Sequence, residues 1–378
     1  MKKLRLYLFS MALVSVMVLS ACATPKAPAP APAPTPVGPA ATPAPAGPTA
    51  TSREQLLAAA NKEGEVAVWS NTFDKADEVL KPFYDKYPGI KVKLWDASTG
   101  NDAINKLVEE GKAGRVTGDI FFSGEGDLVN AVATGVMQEY DWKTAGWPNQ
   151  PSHKFYANYA TNPRLPAFNT NVIPVDQGPK SWEDLATNKW ASKSPVASFS
   201  GAEGPLLFAY MWREKEGVLN WEKAEKYWID VVKNNKPKVV RGFSGPIELM
   251  IAGEYGIFVP VASGGEILNY ALKGAPIAIV PIGKTPGITQ SLGIVKNPAH
   301  PNAAKVFADW FTAEGGQFNK LNTDMRYAIA PDMAKVARAN ILLRDKYQIA
   351  VEPVPSEFFT PANVKRANDF HLKTLGVN

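Results

Sequence analysis

The 378-residue chain has one cysteine, Cys22, and three histidines, His153, His300 and His371. A single thiol cannot close an internal disulfide, so buried apolar surface must hold the folded part together. The histidines are far apart in sequence and no second thiol joins them, which speaks against a zinc site. His153 and His371 are expected to be solvated, and His300, in Asn297-Pro298-Ala299-His300-Pro301, to lie in a turn. An excess of one charge is also missing. The chain carries 41 basic and 36 acidic residues, and residues 1–21 hold three of the bases (Lys2, Lys3, Arg5) and no acid, which leaves 38 against 36. That balance gives no case for nucleic acid as a partner. Motifs for hydrolysis are lacking: there is no Gly-x-Ser-x-Gly elbow, and Gly242-Phe243-Ser244-Gly245 is one residue short of it. An exported hydrolase is the rival reading from another class, but no catalytic residue, cofactor or metal is expected.

The first residues read as an export signal. Lys2, Lys3 and Arg5 precede an uncharged apolar run from Leu6 to about Leu19. That run is too short to cross a hydrocarbon layer of about 30 Å as a helix. It ends in Leu19-Ser20-Ala21-Cys22, which resembles the lipobox of bacterial lipoproteins. The resemblance implies that residues 1–21 are removed and that Cys22 is lipidated on its sulfur. Buried acyl chains contribute about 0.8 kcal/mol per CH₂, so two or more chains anchor a protein without any transmembrane helix. Residues 22–52 follow, nearly all Pro, Ala and Thr. They lack the large apolar side chains a core needs and should form an extended, polyproline-like tether, which at about 3 Å per residue spans tens of ångströms.

The rest of the chain reads as α/β. Glu65 to Ser70 is a predicted strand, Ala76, Val79, Leu80, Phe83 and Tyr84 mark one face of a helix, and Ile90 to Trp95 alternates as a strand does. Ala103, Ile104, Leu107 and Val108 mark a second helix, Asp119 to Phe122 a buried strand, and Leu128, Val129, Val132 and Val136 a third helix. This βαβαβ order implies a parallel sheet with right-handed crossovers. A second α/β unit is expected from strands at 194–199, 239–240, 256–261 and 277–280 and helices at 204–214, 221–232 and 247–252. The last hundred residues are expected to be mostly helical, at 302–312, 333–343 and 361–375.

In open α/β sheets ligands bind beyond the carboxyl ends of the strands. Six such ends carry a hydroxyl, usually beside Gly or Asn: Ser70-Asn71-Thr72, Ser98-Thr99-Gly100, Ser123-Gly124-Glu125, Ser200-Gly201, Ser244-Gly245 and Ser263-Gly264. Each one alone is equally an ordinary helix N-cap. Together, in both units, they make candidate ligand contacts, because helix N-termini offer free amides and glycine lets a ligand approach the backbone. Arg241 is a candidate for gripping an oxyanion bidentately, and Arg326-Tyr327 is of the same kind. Tyr156, Tyr159 and Tyr255 either border the cleft or, the preferred reading, pack in the core.

These segments resemble the type II periplasmic solute-binding proteins, in their ferric iron, phosphonate and thiamine branch. The likeness lies in Lys62 to Ser70, Phe83 to Ile90, Gly118-Asp119-Ile120, Pro179 to Leu185, Gly253 to Ile257, Gly274 to Ile277 and Pro298 to Lys305. It covers residues 53 to 345. It implies two lobes, each a mixed, mostly parallel sheet flanked by helices, with a hinge between them and chain crossovers near 164–170 and 280–290. The first lobe is then 53–166 with 284–378, and the second is 167–283. The resemblance implies a non-enzymatic, monomeric binding component of an ABC importer in the cell envelope, facing the periplasm or exterior and partnered by a permease and its ATPase. Iron-binding members of the branch carry adjacent tyrosines, and this chain has no Tyr-Tyr pair. A small organic anion (phosphonate, phosphate ester or carboxylate) is therefore expected in preference to ferric iron, which stays the alternative.

Overall fold

The computed structural model describes residues 50–70, 73, 75–96, 99–142, 153–199 and 203–376. The expectations for the signal segment, Cys22 and almost all of the tether, and for Asn71, Thr72, Ser98, Ser200 and Gly201, lie outside the described residues.

The helix α1 (Ala50–Glu63) leads into the strand β1 (Glu65–Ser70), then α2 (Ala76–Lys86), β2 (Lys91–Asp96), α3 (Gly100–Lys112), β3 (Ile120–Gly124) and α4 (Glu125–Ala133). The apolar spacing in α2 puts Val79, Leu80 and Phe83 on the buried face, and that in α3 does the same for Ala103, Ile104 and Leu107. Strands β1, β2 and β3 pair in parallel in the order β2-β1-β3, as the βαβαβ pattern requires. Helix α4 stops at Ala133 because Gly135 turns at φ 76°, so Val136 lies beyond the helix expected to include it.

The long strand β4 (Tyr156–Asn169) then leaves this sheet for a second one. It is followed by α5 (Trp182–Leu185), β5 (Pro195–Phe199), α6 (Glu203–Met211), α7 (Trp221–Asn235), β6 (Lys238–Arg241), α8 (Ser244–Ala252), β7 (Ile257–Ser263), α9 (Gly264–Leu272) and β8 (Ile277–Ile279). Strands β5, β6 and β7 pair in parallel. The strand β9 (Lys284–Ile294) brings the chain back. After it come α10 (Pro301–Ala313), α11 (Gly316–Thr323), α12 (Pro331–Ala334), α13 (Arg338–Ile341), β10 (Ala350–Pro353) and α14 (Pro361–Leu375).

One path of hydrogen-bonded strands runs β2-β1-β3-β9-β4-β7-β5-β6, with β10 on β9 and β8 on β4. From Tyr156 to Pro163 the partner of β4 is β9, and from Arg164 to Phe168 it is β7. The mixed sheet therefore curls into two halves joined through β4 and β9, the two-lobed type II arrangement. The first lobe is cored by Phe83, Phe122, Tyr159, Phe307, Trp310 and Phe311 on one face of its sheet and by Trp69, Ile104, Phe121 and Leu128 on the other. In the second lobe Trp182, Phe208, Trp228 and Val259 pack on one side and Val196, Ile247, Met250 and Phe258 on the other. Burying each large side chain contributes roughly 2–3 kcal/mol. Tyr156, Tyr159 and Tyr255 are all buried in these cores.

Several expectations need correction. The last hundred residues contain the eleven-residue strand β9 and the short β10 as well as helices. The helix expected at 333–343 is two short helices, α12 and α13, followed by a π-helical turn over Leu342–Lys346. His371 is fully buried: its ring stacks edge-on to Trp228 at 4.6 Å because α14 packs on α6 and α7. Helices α10 and α11 pack on α1 and α2 respectively, while α14 packs on α6 and α7.

Candidate ligand cleft

Strands β1, β2 and β3 all end at the N-termini of α2, α3 and α4, and β5, β6 and β7 end at those of α6, α8 and α9. The local chemistry of each end decides its role. Thr99 is exposed and its Oγ1 accepts the amide of Asp102 at 3.2 Å, an N-cap for α3. Gly100 is buried, and a Cβ there would stand 2.0 Å from Asp127 Oδ2 and 2.7 Å from Ser123 Oγ. The first turns of α3 and α4 can meet only because Gly100 has no side chain. Ser70 and Ser123 are buried, and Ser123 Oγ donates to the Asp127 carboxylate.

Gly124 is the N-cap of α4, and Glu125 opens that helix. The Glu125 carboxylate is 2% exposed and accepts from Asn158 Nδ2 at 2.7 Å, and Ser291 Oγ donates to Asn158 Oδ1 at 2.5 Å. Glu125 is thereby a brace between α4 and the crossing strands β4 and β9. Burial pushes its carboxyl above the usual range of 4.5, against hydrogen bonds from Asn158, Ser356 and Thr289 that lower it, with Glu357 and Tyr156 also close. An acid whose folded pKa is raised contributes its full share of stability below the unfolded value and loses it as pH rises through the folded one. Glu125→Gln removes the charge and keeps the acceptor. The variant is expected to gain stability over the parent between pH 5 and 8 and to lose that advantage near pH 4, read from urea midpoints across pH. Curves that stay parallel throughout would contradict the assignment.

On the other lobe, Ser263 is buried at the end of β7, and its Oγ accepts from Asn162 Nδ2 at 3.1 Å. The amide of Gly265 donates to Asn162 Oδ1 at 3.2 Å. One β4 side chain thus fixes the whole start of α9. Gly264 lies against β4, where a Cβ would sit 2.3 Å from the Pro163 carbonyl oxygen. Ser244, the first residue of α8, is exposed. Arg241 is exposed at the end of β6, the edge strand. Tyr327 exchanges backbone hydrogen bonds with Thr161 and lines a separate cavity of about 470 Å³ with Lys335, Asn340 and Arg344.

A cavity of about 200 Å³ lies between the lobes, lined by Lys75 and Asp324 from the first and by Ser244, Glu266, Asn269, Tyr270 and Lys273 from the second. Of the predicted site residues that are among the described ones, it gathers only Ser244. Lys75 Nζ donates to Asn269 Oδ1 at 3.2 Å and to the Thr323 carbonyl at 2.9 Å. Asp324 pairs with Lys320 at 2.5 Å, both side chains fully buried, and the Lys320 ammonium lies 4.3 Å from the Phe73 ring centroid. Arg326 is 4% exposed beside the start of α9. Lys75 follows the predicted loop Ser70-Asn71-Thr72, and a lone lysine before a helix carries no sequence signal for a site. Asn269 and Tyr270 lie half-exposed on α9 and Lys273 is its exposed C-cap, in a segment where the sequence predicts no helix. Among the described residues no group of three or more His, Cys, Asp or Glu is gathered as a metal site would need.

Residues 69–318 match the model of the bacterial extracellular solute-binding protein family. The chain belongs to that family. Comparison with curated proteins finds no match. Solved structures with the same fold include the substrate-binding protein of an ABC transporter from Agrobacterium tumefaciens, 17% identical, with a TM-score of 0.67, covering 84% of this solute-binding protein and 96% of the other chain. Iron-bound HitA from Pseudomonas aeruginosa is 15% identical with a TM-score of 0.62 over 82% of this chain and 99% of its own. AfuA from Actinobacillus pleuropneumoniae with fructose-6-phosphate is 15% identical with a TM-score of 0.63 over 83% and 99%. Among the described residues of this solute-binding protein no helix is long and apolar enough to cross a membrane.

Proposed function

We propose that this protein is the lipid-anchored receptor of an ABC importer, held to the envelope through Cys22 and delivering a small organic anion to a permease and its ATPase. The observation that carries the reading is the inter-lobe cavity, whose lining comes from helices of both lobes. Its charge supports an anionic solute. Lys75 and Lys273 face Glu266 and Asp324, and Asp324 is already matched by the buried Lys320. A charge-assisted hydrogen bond from a lysine to phosphate, phosphonate or carboxylate is about twice as strong as a neutral one. The similarly folded proteins, which hold iron in one case and a phosphorylated sugar in another, leave both chemistries within reach of the fold. Ferric iron needs several anionic oxygen or nitrogen donors; among the described residues no three of His, Cys, Asp or Glu gather to supply them, and the chain has no Tyr-Tyr pair to offer adjacent phenolates.

Lobe boundaries near 166 and 283 follow from this reading, with the hinge in β4 and β9, and α14 riding on the second lobe. The test is native mass spectrometry of detergent-extracted protein. The expected spectrum shows one small anion per chain and a mature N-terminus at an acylated Cys22. Protein that carries no solute, and takes up none from a panel of phosphonates, phosphate esters, carboxylates and ferric chelates, sinks the importer reading.

A further inference from the structure

Lys75 is held where a lysine does not ordinarily stand. It caps α2 with φ 46° and ψ 48°, in the left-handed region, without a side-chain cap. A residue with a Cβ is strained there, and such strain persists only where the surroundings fix it. The strained backbone stands at the N-terminus of a first-lobe helix, and its ammonium reaches the second lobe. Nζ donates to Asn269 Oδ1 on α9 at 3.2 Å and also to the Thr323 carbonyl at the end of α11, 2.9 Å away. Asn269 Nδ2 approaches the same carbonyl at 3.4 Å. Helix α11 packs on α2 and α10, and α9 packs on β4 and β7. These three residues therefore close a small ring of hydrogen bonds across the mouth between the lobes, beside Ser244 and Lys273 on the wall of the cavity.

We infer that Lys75, Asn269 and the Thr323 carbonyl form an inter-lobe latch that keeps the two halves closed when no solute is bound. The latch rests on the proposed function, in that it requires lobes that move. It supplies what a solute otherwise must, a favourable contact present only in the closed form, and so raises the closed fraction before binding. It also retains a bound solute by slowing reopening.

The experiment measures the distance between nitroxides on Asp77→Cys (α2) and Glu254→Cys, both exposed positions on opposite lobes, in the full chain in detergent with Cys22 either acylated or replaced by serine. The solute-free parent is expected to show one short, narrow distance. Lys75→Gly and Asn269→Ala should each add a longer-distance population and raise the open-to-closed ratio about tenfold, with the double variant doing little more than either alone. Glycine is at ease at a positive φ, so Lys75→Gly should melt no lower than the parent. A merely structural lysine would lower melting and leave the distances alone. Distance distributions for both variants that superimpose on the parent overturn the latch. If the parent still carries a solute by native mass spectrometry in that case, the importer reading survives its loss.

Discussion

Gly264→Ala is expected to destabilise the protein by about 3 kcal/mol or more, since added volume in a packed site that cannot relax lies at the upper end of overpacking costs. The glycine sits at the end of β7, opens α9 and has no positive φ, so its freedom of conformation is not what is used. What is used is its missing side chain. A methyl group there would lie 2.3 Å from the Pro163 carbonyl oxygen, 2.8 Å from Pro163 Cγ and 3.0 Å from Leu165 Cγ. Two of these atoms belong to a proline in the middle of β4, whose ring is rigid and whose strand is paired with β9 on one side. Neither partner can step aside without opening the junction of the lobes. Gly245, the second residue of α8, provides the contrast: a Cβ there meets nothing within 4 Å. Gly245→Ala should therefore be neutral or slightly stabilising, since alanine is the better helix residue. Urea denaturation of the two variants decides the point. Equal midpoints would overturn the packing role assigned to Gly264.

The comparison of these glycines shows which parts of the molecule a sequence makes legible. Periodicity revealed β1 to β3 and α2 to α4 because each element there is covered on one face and wet on the other, or fully apolar as Phe121-Phe122 are. It missed β4 and β9, the two long strands at the junction of the two halves of the sheet. Both are buried along almost their whole length yet carry Asn158, Thr161, Asn162 and Arg164, and Thr285, Thr289, Gln290 and Ser291. Pro163, Pro166 and Pro286 also lie within them, and proline ordinarily argues against a central strand. The polar side chains are tolerated because they bond one another and the loops they hold: Asn158 to Glu125 and Ser291, Asn162 to Ser263 and Gly265, Thr285 to the Arg164 carbonyl. The prolines sit at or beside positions where β4 changes partner or register. None of this is local, so no window of sequence displays it. Ser123 bonds Asp127 four residues on, but the partner of Ser263, Asn162, lies 101 residues away, beyond any window of sequence.

Asp119 carries the same lesson with a larger expected effect on the first lobe. It stands just before β3, fully buried. Oδ2 accepts the Ala67 amide at 2.7 Å and meets His300 Nδ1 at 2.7 Å, and Oδ1 accepts the His300 amide at 2.8 Å. One carboxylate therefore ties β1 to the residue that caps α10, which lies 181 positions after Asp119 in the sequence. Asp119→Ala strands both amides in a site that no longer holds an acceptor, at about 1–3 kcal/mol each. The expected loss is about 3–5 kcal/mol, or roughly 10 °C in melting temperature for a body of this size. Asn is not a rescue. Both carboxylate oxygens are used by backbone donors, so an amide in either orientation places its NH₂ against a backbone N–H. Asp119→Asn should thus recover part of the shape and little of the stability. His300→Gln tests the side-chain contact separately and should cost far less, because its backbone amide keeps its acceptor. If Asp119→Asn melts with the parent, the two-acceptor argument fails, and with it the view that this buried acid, rather than apolar packing alone, fixes the return of the chain to the first lobe.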